Sequence, residues 1–238
     1  MHMTQAATLQ PADKPPSLVV SDQELPVGAK RIYVVRHVQS QSWGEPHVMD
    51  PDVTELGRAQ IQALRTHCAA LDLEVIVTSE LVRARKTAQG VQAVRPVKII
   101  IDEGWNEFHA IGAWRSHSIE DAKRLVCGRY YRPDQRELSG ESLRQLYRRV
   151  REAWERLLQL PARSMLLVGH NAALGTLIAS FFGLREDSER DSLIAYPHAA
   201  ISEFWVLDTL DDPTLPDRVT MLRYLCYADY LKPGHITY

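Results

Sequence analysis

The sequence predicts an α/β protein of three layers, in which helices cover both faces of a mainly parallel sheet. Short β-branched runs alternate along the chain with segments whose apolar residues recur at helical spacing, as in parallel sheets with helical crossovers. The chain has 238 residues, 45% of them hydrophobic, which is enough for one large domain with a substantial core. Polar residues directly follow several predicted strands, which is where open α/β sheets bind ligands.

The domain is predicted to begin after an N-terminal arm. Residues 1–28 contain several prolines among small polar residues and are predicted as a flexible arm outside the fold. Residues 29–238 are predicted as a single domain. Between about 103 and 139 both periodicities are lost, so this stretch is predicted as an insertion over the fold.

Strands and helices alternate in the first half of the predicted domain. The run Arg31–Val35 is β-branched and aromatic and predicts a buried strand, and Thr54 is placed to cap the helix that follows. Residues 73–78 predict a second strand, and Ser79 is expected to cap the next helix. Residues 97–101 predict a third strand.

The second half continues the same alternation. A long amphipathic helix is predicted from apolar residues at helical spacing, namely Leu143, Leu146, Tyr147, Val150, Trp154, Leu157 and Leu158. Residues 164–169 predict a strand and residues 172–182 a helix. Two further strands are predicted at about 200–207 and 219–225.

Composition excludes several classes of function. The 28 basic and 30 acidic residues give a net charge of -2, which supplies no overall field for holding nucleic acid or an anionic membrane. No apolar run approaches the ~18 residues of a membrane-spanning helix. Cys68, Cys127 and Cys226 are widely spaced, so buried free thiols are expected rather than disulfides or a zinc site. No secretory signal is visible, so a cytoplasmic location is expected.

Three polar groups lie at the ends of predicted strands. Arg36 and His37 follow the first strand, Arg83 lies one turn into the helix after the second, and His170 and Asn171 follow the strand before the last helix. Because these strand ends meet at one edge of a parallel sheet, two imidazoles and two guanidiniums are expected to form a compact cationic pocket. The guanidinium fork matches phosphate oxygens, so the predicted ligand is a phosphate group.

The motifs resemble, in order along the chain, those of the histidine phosphatase superfamily, also called phosphoglycerate mutase-like. The stretch 35–40 (VRHVQS) resembles the R-H-G-[EQ] signature of that superfamily. Further segments that agree are LGRAQ at 56–60, TSELVRARKTA at 78–88, WNEF at 105–108, GES at 140–142 and VGHN at 168–171. The resemblance covers nearly the whole chain from residue 30 onwards.

The resemblance implies a cofactor-independent phosphatase of the histidine acid type. His37 would attack the phosphorus of a small phosphomonoester and form a phosphohistidine. Arg36, Arg83 and His170 would neutralise charge on the phosphate oxygens, and Glu107 would protonate the leaving alcohol and later activate water. No metal or other cofactor is implied, because the cationic groups do what magnesium does in other phosphoryl transferases.

Three positions depart from the superfamily pattern. Val38 occupies a glycine position, Trp43 occupies the position of an asparagine that commonly contacts phosphate, and Asn171 occupies a glycine position and adds a side-chain donor. Val38 and Trp43 leave open a non-catalytic phosphate-binding module or a pocket adapted to other chemistry. A phosphoglycerate-type phosphomutase, which would use the same residues, also stays open.

Purely structural interpretations exist for the candidate residues. His37 and His170 could be core histidines with satisfied hydrogen bonds, and Arg83 could pair with Glu80 at the surface. Their places at strand ends and at a helix entrance favour phosphate binding instead.

Two candidates are less distinctive in sequence. Glu107 is preferred over Glu103, which lies one helical turn away, because Glu107 matches the motif. Gln39 is either a hydrogen-bond donor in the phosphate pocket or a solvated loop residue, and the sequence favours neither.

The remaining histidines do not predict a metal site. His47, His109, His117 and His198 show no metal-ligand spacing and are expected at the surface or the pocket rim. Between residues 115 and 137, six basic residues stand against four acidic ones, which predicts either a solvated helix face or a lid that selects an anionic substrate. The expected partner is a phosphorylated small molecule, with no nucleic acid and no membrane, and the sequence leaves a homodimer open.

Overall fold

The computed structural model describes most of the predicted domain. The described residues are 24–41, 50–108, 134, 140–188, 194–209 and 217–238. Most of the predicted N-terminal arm, most of the predicted insertion at 103–139 and Trp43 lie outside these ranges, so the arm, the domain boundary and the lid stay predictions.

The elements occur in nearly the predicted order and positions. The first half contains β1 (Lys30–Arg36), α1 (Glu55–Cys68), β2 (Val75–Thr78), α2 (Val82–Gln92), β3 (Lys98–Ile101) and a 3-10 turn (Glu103–Trp105). The second half contains α3 (Leu143–Leu158), β4 (Ser164–Gly169), α4 (Asn171–Phe181), β5 (Ile201–Asp208), β6 (Arg218–Tyr227) and a 3-10 turn (Pro233–His235).

The six strands found in the described ranges form one sheet in the order β3-β2-β4-β1-β5-β6. β1, β2, β3 and β4 are mutually parallel, whereas β5 runs antiparallel to β1 and β6 antiparallel to β5. The prediction of a mainly parallel sheet is confirmed, with two antiparallel pairings at one side.

Alternation along β1 divides the core into two halves. Ile32 and Val34 face a core that includes Trp154 of α3, whereas Tyr33 and Val35 face a second core with residues of α1 and α2. All of these side chains are almost fully buried. Because successive strand residues point to opposite faces, both faces must be covered, and the three-layer α/β architecture is confirmed.

Helix capping follows the sequence at α1 but not at α2. The Thr54 hydroxyl accepts a hydrogen bond from the Gly57 N–H at 3.0 Å, as predicted. The prediction that Ser79 caps α2 is wrong, because the helix begins at Val82 and its cap residue, Leu81, has no capping side chain. The Asp50 carboxylate caps α2 instead, with both oxygens 2.9 Å from the Val82 nitrogen.

The described cysteines are free. Cys68 is fully buried and Cys226 is half-buried, which confirms the expected burial only for the former. Burial raises the pKa of the Cys68 thiol to about 12. Cys127 lies outside the described residues. Among the described helices, none combines the length and the apolar character needed to cross a membrane.

Candidate active site

The two predicted histidines meet at the carboxyl edge of the sheet. β1 and β4 are adjacent parallel strands in which Arg36 lies opposite Gly169, and the His37 N–H donates to the Gly169 carbonyl at 2.9 Å. The next residues of the two strands, His37 and His170, therefore lie side by side, with ring centroids 4.8 Å apart. Both imidazoles are almost completely buried.

Hydrogen bonding sets the tautomer of His37. Its Nδ1 lies 2.6 Å from the Val38 carbonyl oxygen, which can only accept, so Nδ1 carries the proton. The Nε2 lone pair is then available, and the Arg83 Nε–H donates to it at 3.2 Å. Burial lowers the pKa of His37 well below its usual 6.5, and the nearby His170 and Arg83 lower it further. His37 is therefore a neutral imidazole with a lone pair on Nε2, the form that acts as a nucleophile.

Arg83 is held in the first turn of α2. Its side chain is buried and its Nη1 lies 3.4 Å from Asp50. Glu80, the alternative partner considered from the sequence, instead accepts a hydrogen bond from Asn106 at 2.7 Å. Arg83 thus belongs to the histidine pocket and is not a surface ion-pair partner of Glu80.

Arg36 supplies a second guanidinium beside His37. Its Nη1 donates to the Tyr196 carbonyl at 2.5 Å, whereas its buried Nε finds no acceptor in the described part of the chain. Burial lowers the pKa of Arg36 to about 10, against the raising effect of the Glu107 carboxylate. The Arg36 Nε–H is a donor that an anion oxygen could satisfy.

His170 is joined to Ser79. The Ser79 hydroxyl lies 2.6 Å from His170 Nε2, so this serine orients the second imidazole rather than capping a helix. His170 lies with Arg36, His37 and Arg83 in the cluster that was predicted from the positions of these residues after the strands.

Glu107 is anchored at the start of α4. Its Oε1 accepts hydrogen bonds from the Ala172 N–H at 3.0 Å and the Phe108 N–H at 2.9 Å. Burial lowers the pKa values of Arg36 and Arg83, and the charge of the Glu107 carboxylate, which lies near both guanidiniums, partly offsets this lowering. Glu103 is exposed at the 3-10 turn, so the geometry favours Glu107.

Gln39 and Asn171 have other partners. The Gln39 amide oxygen accepts from the Thr54 hydroxyl at 2.7 Å, and the Asn171 amide oxygen accepts from the Tyr196 N–H at 2.8 Å. Each side chain therefore braces a neighbouring segment of the site. Their direct binding of phosphate stays a prediction.

Val38 fits its position without strain. Its side chain is fully buried in the core beneath the loop, and its N–H donates to the Thr87 hydroxyl at 3.1 Å. Among the described residues, the non-glycine positions with positive φ are Ala199 and Cys226, so Val38 does not occupy a conformation that requires glycine.

The site contains a third histidine that the sequence did not identify. His198 is only 7% exposed and its ring centroid lies 5.3 Å from that of His37, so of the two places expected for it, the surface and the pocket rim, the surface is excluded. Its Nδ1 contacts Thr237, 3.2 Å from the carbonyl oxygen and 3.1 Å from the hydroxyl. Burial lowers its pKa to about 3, with a further lowering by Arg36. His198 precedes β5 and meets Thr237 through a contact between distant parts of the chain, which leaves no local sequence signal.

The described residues contain no cluster of three or more His, Cys, Asp or Glu side chains that could hold a metal ion. His47, His109 and His117 lie outside these residues.

Comparison with known proteins gives consistent matches. The family model described as "Histidine phosphatase superfamily (branch 1)" matches residues 32–206. The protein named "Probable phosphoglycerate mutase GpmB" from Cronobacter sakazakii is 30% identical over 202 residues, covering 76% of this chain and 93% of its own length. Its namesake from Photorhabdus laumondii is 29% identical over 206 residues, covering 77% and 94%.

Solved structures share the fold. Mycobacterial glucosyl-3-phosphoglycerate phosphatase superposes with a TM-score of 0.67 at 21% identity, covering 84% of this chain and all of that one. The alpha-ribazole phosphatase from Shigella flexneri superposes with a TM-score of 0.63 at 23% identity, covering 83% of this chain and 96% of that one.

Proposed function

The chain belongs to the histidine phosphatase superfamily, and from this membership we propose that it is a phosphomonoester hydrolase that works through a phosphohistidine on His37. The observation that carries the proposal is the state of His37, a buried neutral imidazole whose Nε2 lone pair faces the Arg83 guanidinium 3.2 Å away. Two guanidiniums lie beside this imidazole, that of the buried Arg83 and that of the partly buried Arg36, which is more positive charge than a purely structural histidine requires.

In the first step, Nε2 of His37 attacks the phosphorus in line with the leaving oxygen. Arg36, Arg83 and His170 stabilise the charge on the three equatorial phosphoryl oxygens, which is the main catalytic contribution in phosphoryl transfer. The P–O ester bond breaks as the P–N bond forms. The step requires Glu107 in its protonated form, which gives its proton to the departing alcohol oxygen and is left as the carboxylate.

In the second step, Glu107 accepts a proton from water while that water attacks the phosphohistidine. The P–N bond breaks and inorganic phosphate leaves, which restores the neutral imidazole of His37 and the protonated Glu107. All transferred protons and electron pairs are accounted for without a metal or an organic cofactor.

A phosphomutase is the second candidate, and the names of the GpmB relatives favour it. In a mutase, a substrate hydroxyl rather than water would take the phosphoryl group from His37. The names of the structural neighbours favour a phosphatase. The non-catalytic alternative was based partly on Val38 at a glycine position. That reason is removed, because Val38 packs into the core without a positive φ.

The substrate is proposed to be a phosphorylated small molecule. We also propose a cytoplasmic location, which the free thiols of Cys68 and Cys226 support because such thiols persist in reducing compartments.

The test is phosphate release from a panel of phosphomonoesters by the wild type and by His37→Asn. The asparagine keeps a polar side chain at this position but cannot form a phosphohistidine. We expect release only by the wild type, together with an acid-labile, base-stable phosphoryl group on the trapped protein. Release that survives His37→Asn would refute the nucleophile. Interconversion of 2- and 3-phosphoglycerate faster than phosphate release would assign the protein to the mutases.

A further inference from the structure

One arginine of α3 holds the backbone that carries Glu107. Arg149 Nη1 donates to the carbonyl oxygens of Gly104 and Asn106, each at 2.9 Å, and Nη2 lies 3.4 Å from the carbonyl oxygen of Glu107 itself. A single guanidinium therefore binds three carbonyls of one short segment. The segment ends at the carboxyl group that we assign to proton transfer.

Glu141 fixes the orientation of this guanidinium. Arg149 Nε lies 3.1 Å from Glu141 Oε2, and Nη2 lies 2.5 Å from Oε1, which is a bidentate arrangement. The two side chains are only 22% and 14% exposed. Glu141 directly precedes Ser142, which begins α3 with a capping box, so the carboxylate is fixed to the same helix as Arg149. A bidentate pair of this kind holds the guanidinium plane in one direction.

Glu107 is thus held from two sides. Arg149 binds its peptide carbonyl from α3, and the Ala172 N–H of α4 binds its carboxylate at 3.0 Å. Without Arg149, the contact with Ala172 would remain, but three carbonyls would lose their charged donor. The Glu107 carboxyl group would then be held only by the Ala172 and Phe108 N–H groups that donate to its Oε1.

We propose that Arg149, oriented by Glu141, is a positioning residue that sets the place of the Glu107 carboxyl group relative to the leaving oxygen. The inference rests on the proposed function. Arg149 acts through Glu107 on proton transfer, and it leaves phosphate binding and the attack by His37 to other residues. Its loss must therefore matter most for esters whose alcohol needs a proton in order to leave.

The experiment measures kcat/KM for esters of increasing leaving-group pKa, from 2,4-dinitrophenyl phosphate through 4-nitrophenyl and phenyl phosphate to an alkyl phosphate. The value of kcat/KM reports formation of the phosphoenzyme and excludes its later hydrolysis. A general acid contributes about 10²- to 10⁴-fold. We expect Arg149→Met to lower kcat/KM about 10- to 100-fold for the alkyl ester and less than about 3-fold for the dinitrophenyl ester.

Three further variants complete the comparison. In a plot of log kcat/KM against leaving-group pKa, Glu107→Gln must have a steeper slope than the wild type, as Arg149→Met does. The slope for Arg149→Lys must lie between those of the wild type and Arg149→Met. Arg148→Met is the matched control, because Arg148 is the preceding residue of α3 and its side chain forms an exposed ion pair with Glu186 at 2.6 Å. It should follow the wild type for every ester.

Two outcomes separate this inference from the function on which it rests. A uniform loss across all esters in Arg149→Met would overturn the positioning role, provided that Glu107→Gln steepens the slope. An unchanged slope in Glu107→Gln, or no hydrolysis of any ester by the wild type, would refute the proposed function and the inference with it. If Arg149→Met does not fold, Glu141→Gln takes its place, and the same dependence of kcat/KM on leaving-group pKa is expected of it.

Discussion

Replacement of Gly57 by alanine should displace the loop that carries His37. Gly57 lies in the first turn of α1, and a Cβ atom there would come 2.2 Å from the Gln39 carbonyl oxygen and 3.3 Å from a methyl group of Val38. Real Cβ atoms do not come within 3.0 Å of other heavy atoms, so helix and loop must separate by at least about 0.8 Å. The obstacle is backbone, which cannot rotate away.

A shift of this size is large for a nucleophile. Misplacement by about 1 Å costs on the order of 10²-fold in rate, which corresponds to about 2.7 kcal/mol in the activation free energy. Overpacking also costs about 1–3 kcal/mol in the free energy of unfolding, more than the alanine gains in helix propensity. For a chain of this length, each kcal/mol lowers Tm by about 2–4 °C.

Gly90→Ala is the matched control for Gly57→Ala. A Cβ atom at Gly90 of α2 would meet the Ile61 side chain at 2.4 Å, so this variant also overpacks a helix contact, but against a side chain of α1 and not against the loop backbone that follows His37. The assay is kcat with the best ester of the panel, together with thermal unfolding. We expect a drop of about 10²-fold in Gly57→Ala and less than about 3-fold in Gly90→Ala. Wild-type kcat and Tm in Gly57→Ala would show that the helix does not set the position of the loop.

Three further predictions concern stability. The pKa of His198 is about 3 in the fold and near 6.5 when unfolded, so the unfolded chain binds the extra proton and stability is lost as pH falls below 6.5. Between pH 7 and pH 5, the free energy of unfolding measured with urea should therefore fall by about 2 kcal/mol less in His198→Asn than in the wild type. An equal fall in both proteins would contradict a buried neutral imidazole. Thr87→Val removes the acceptor of the buried Val38 N–H and should cost about 1–3 kcal/mol in the same urea assay, whereas an unchanged midpoint would mean that this bond contributes nothing. Trp154→Ala empties a fully buried site beside Phe181 and should cost about 3–5 kcal/mol, so a Tm within 2 °C of the wild type would contradict its core role.

Local signals explain why the elements and the pocket could be predicted. Residues 32–35 are all β-branched or aromatic, which predicts a strand. The apolar residues from Leu143 to Leu158 recur at the spacing of one helix face, which predicts a helix. Arg36, His37 and His170 then follow from topology, because residues after adjacent parallel strands must share an edge.

The errors arise where distant contacts replace local ones. Ser79 has the residue type of a helix cap, but Asp50 caps α2 from 32 positions earlier in the chain, and the serine hydroxyl contacts His170 and accepts from the Leu81 N–H. The choice between surface and pocket for His198 also depends on a distant contact, the one with Thr237. Pairing at such separations leaves no periodicity in a single sequence, so neither contact was predictable.

The separation of the two imidazoles is one interstrand distance. Neighbouring strands lie about 4.7–4.9 Å apart, and the rings of His37 and His170, which directly follow two paired strands, are 4.8 Å apart. The spacing of the two imidazoles is thus tied to the pairing of β1 with β4, which is part of the main-chain scaffold. In the proposed phosphatase, substrate preference could then diverge through the surrounding loops, while this spacing beside the phosphoryl group would be retained.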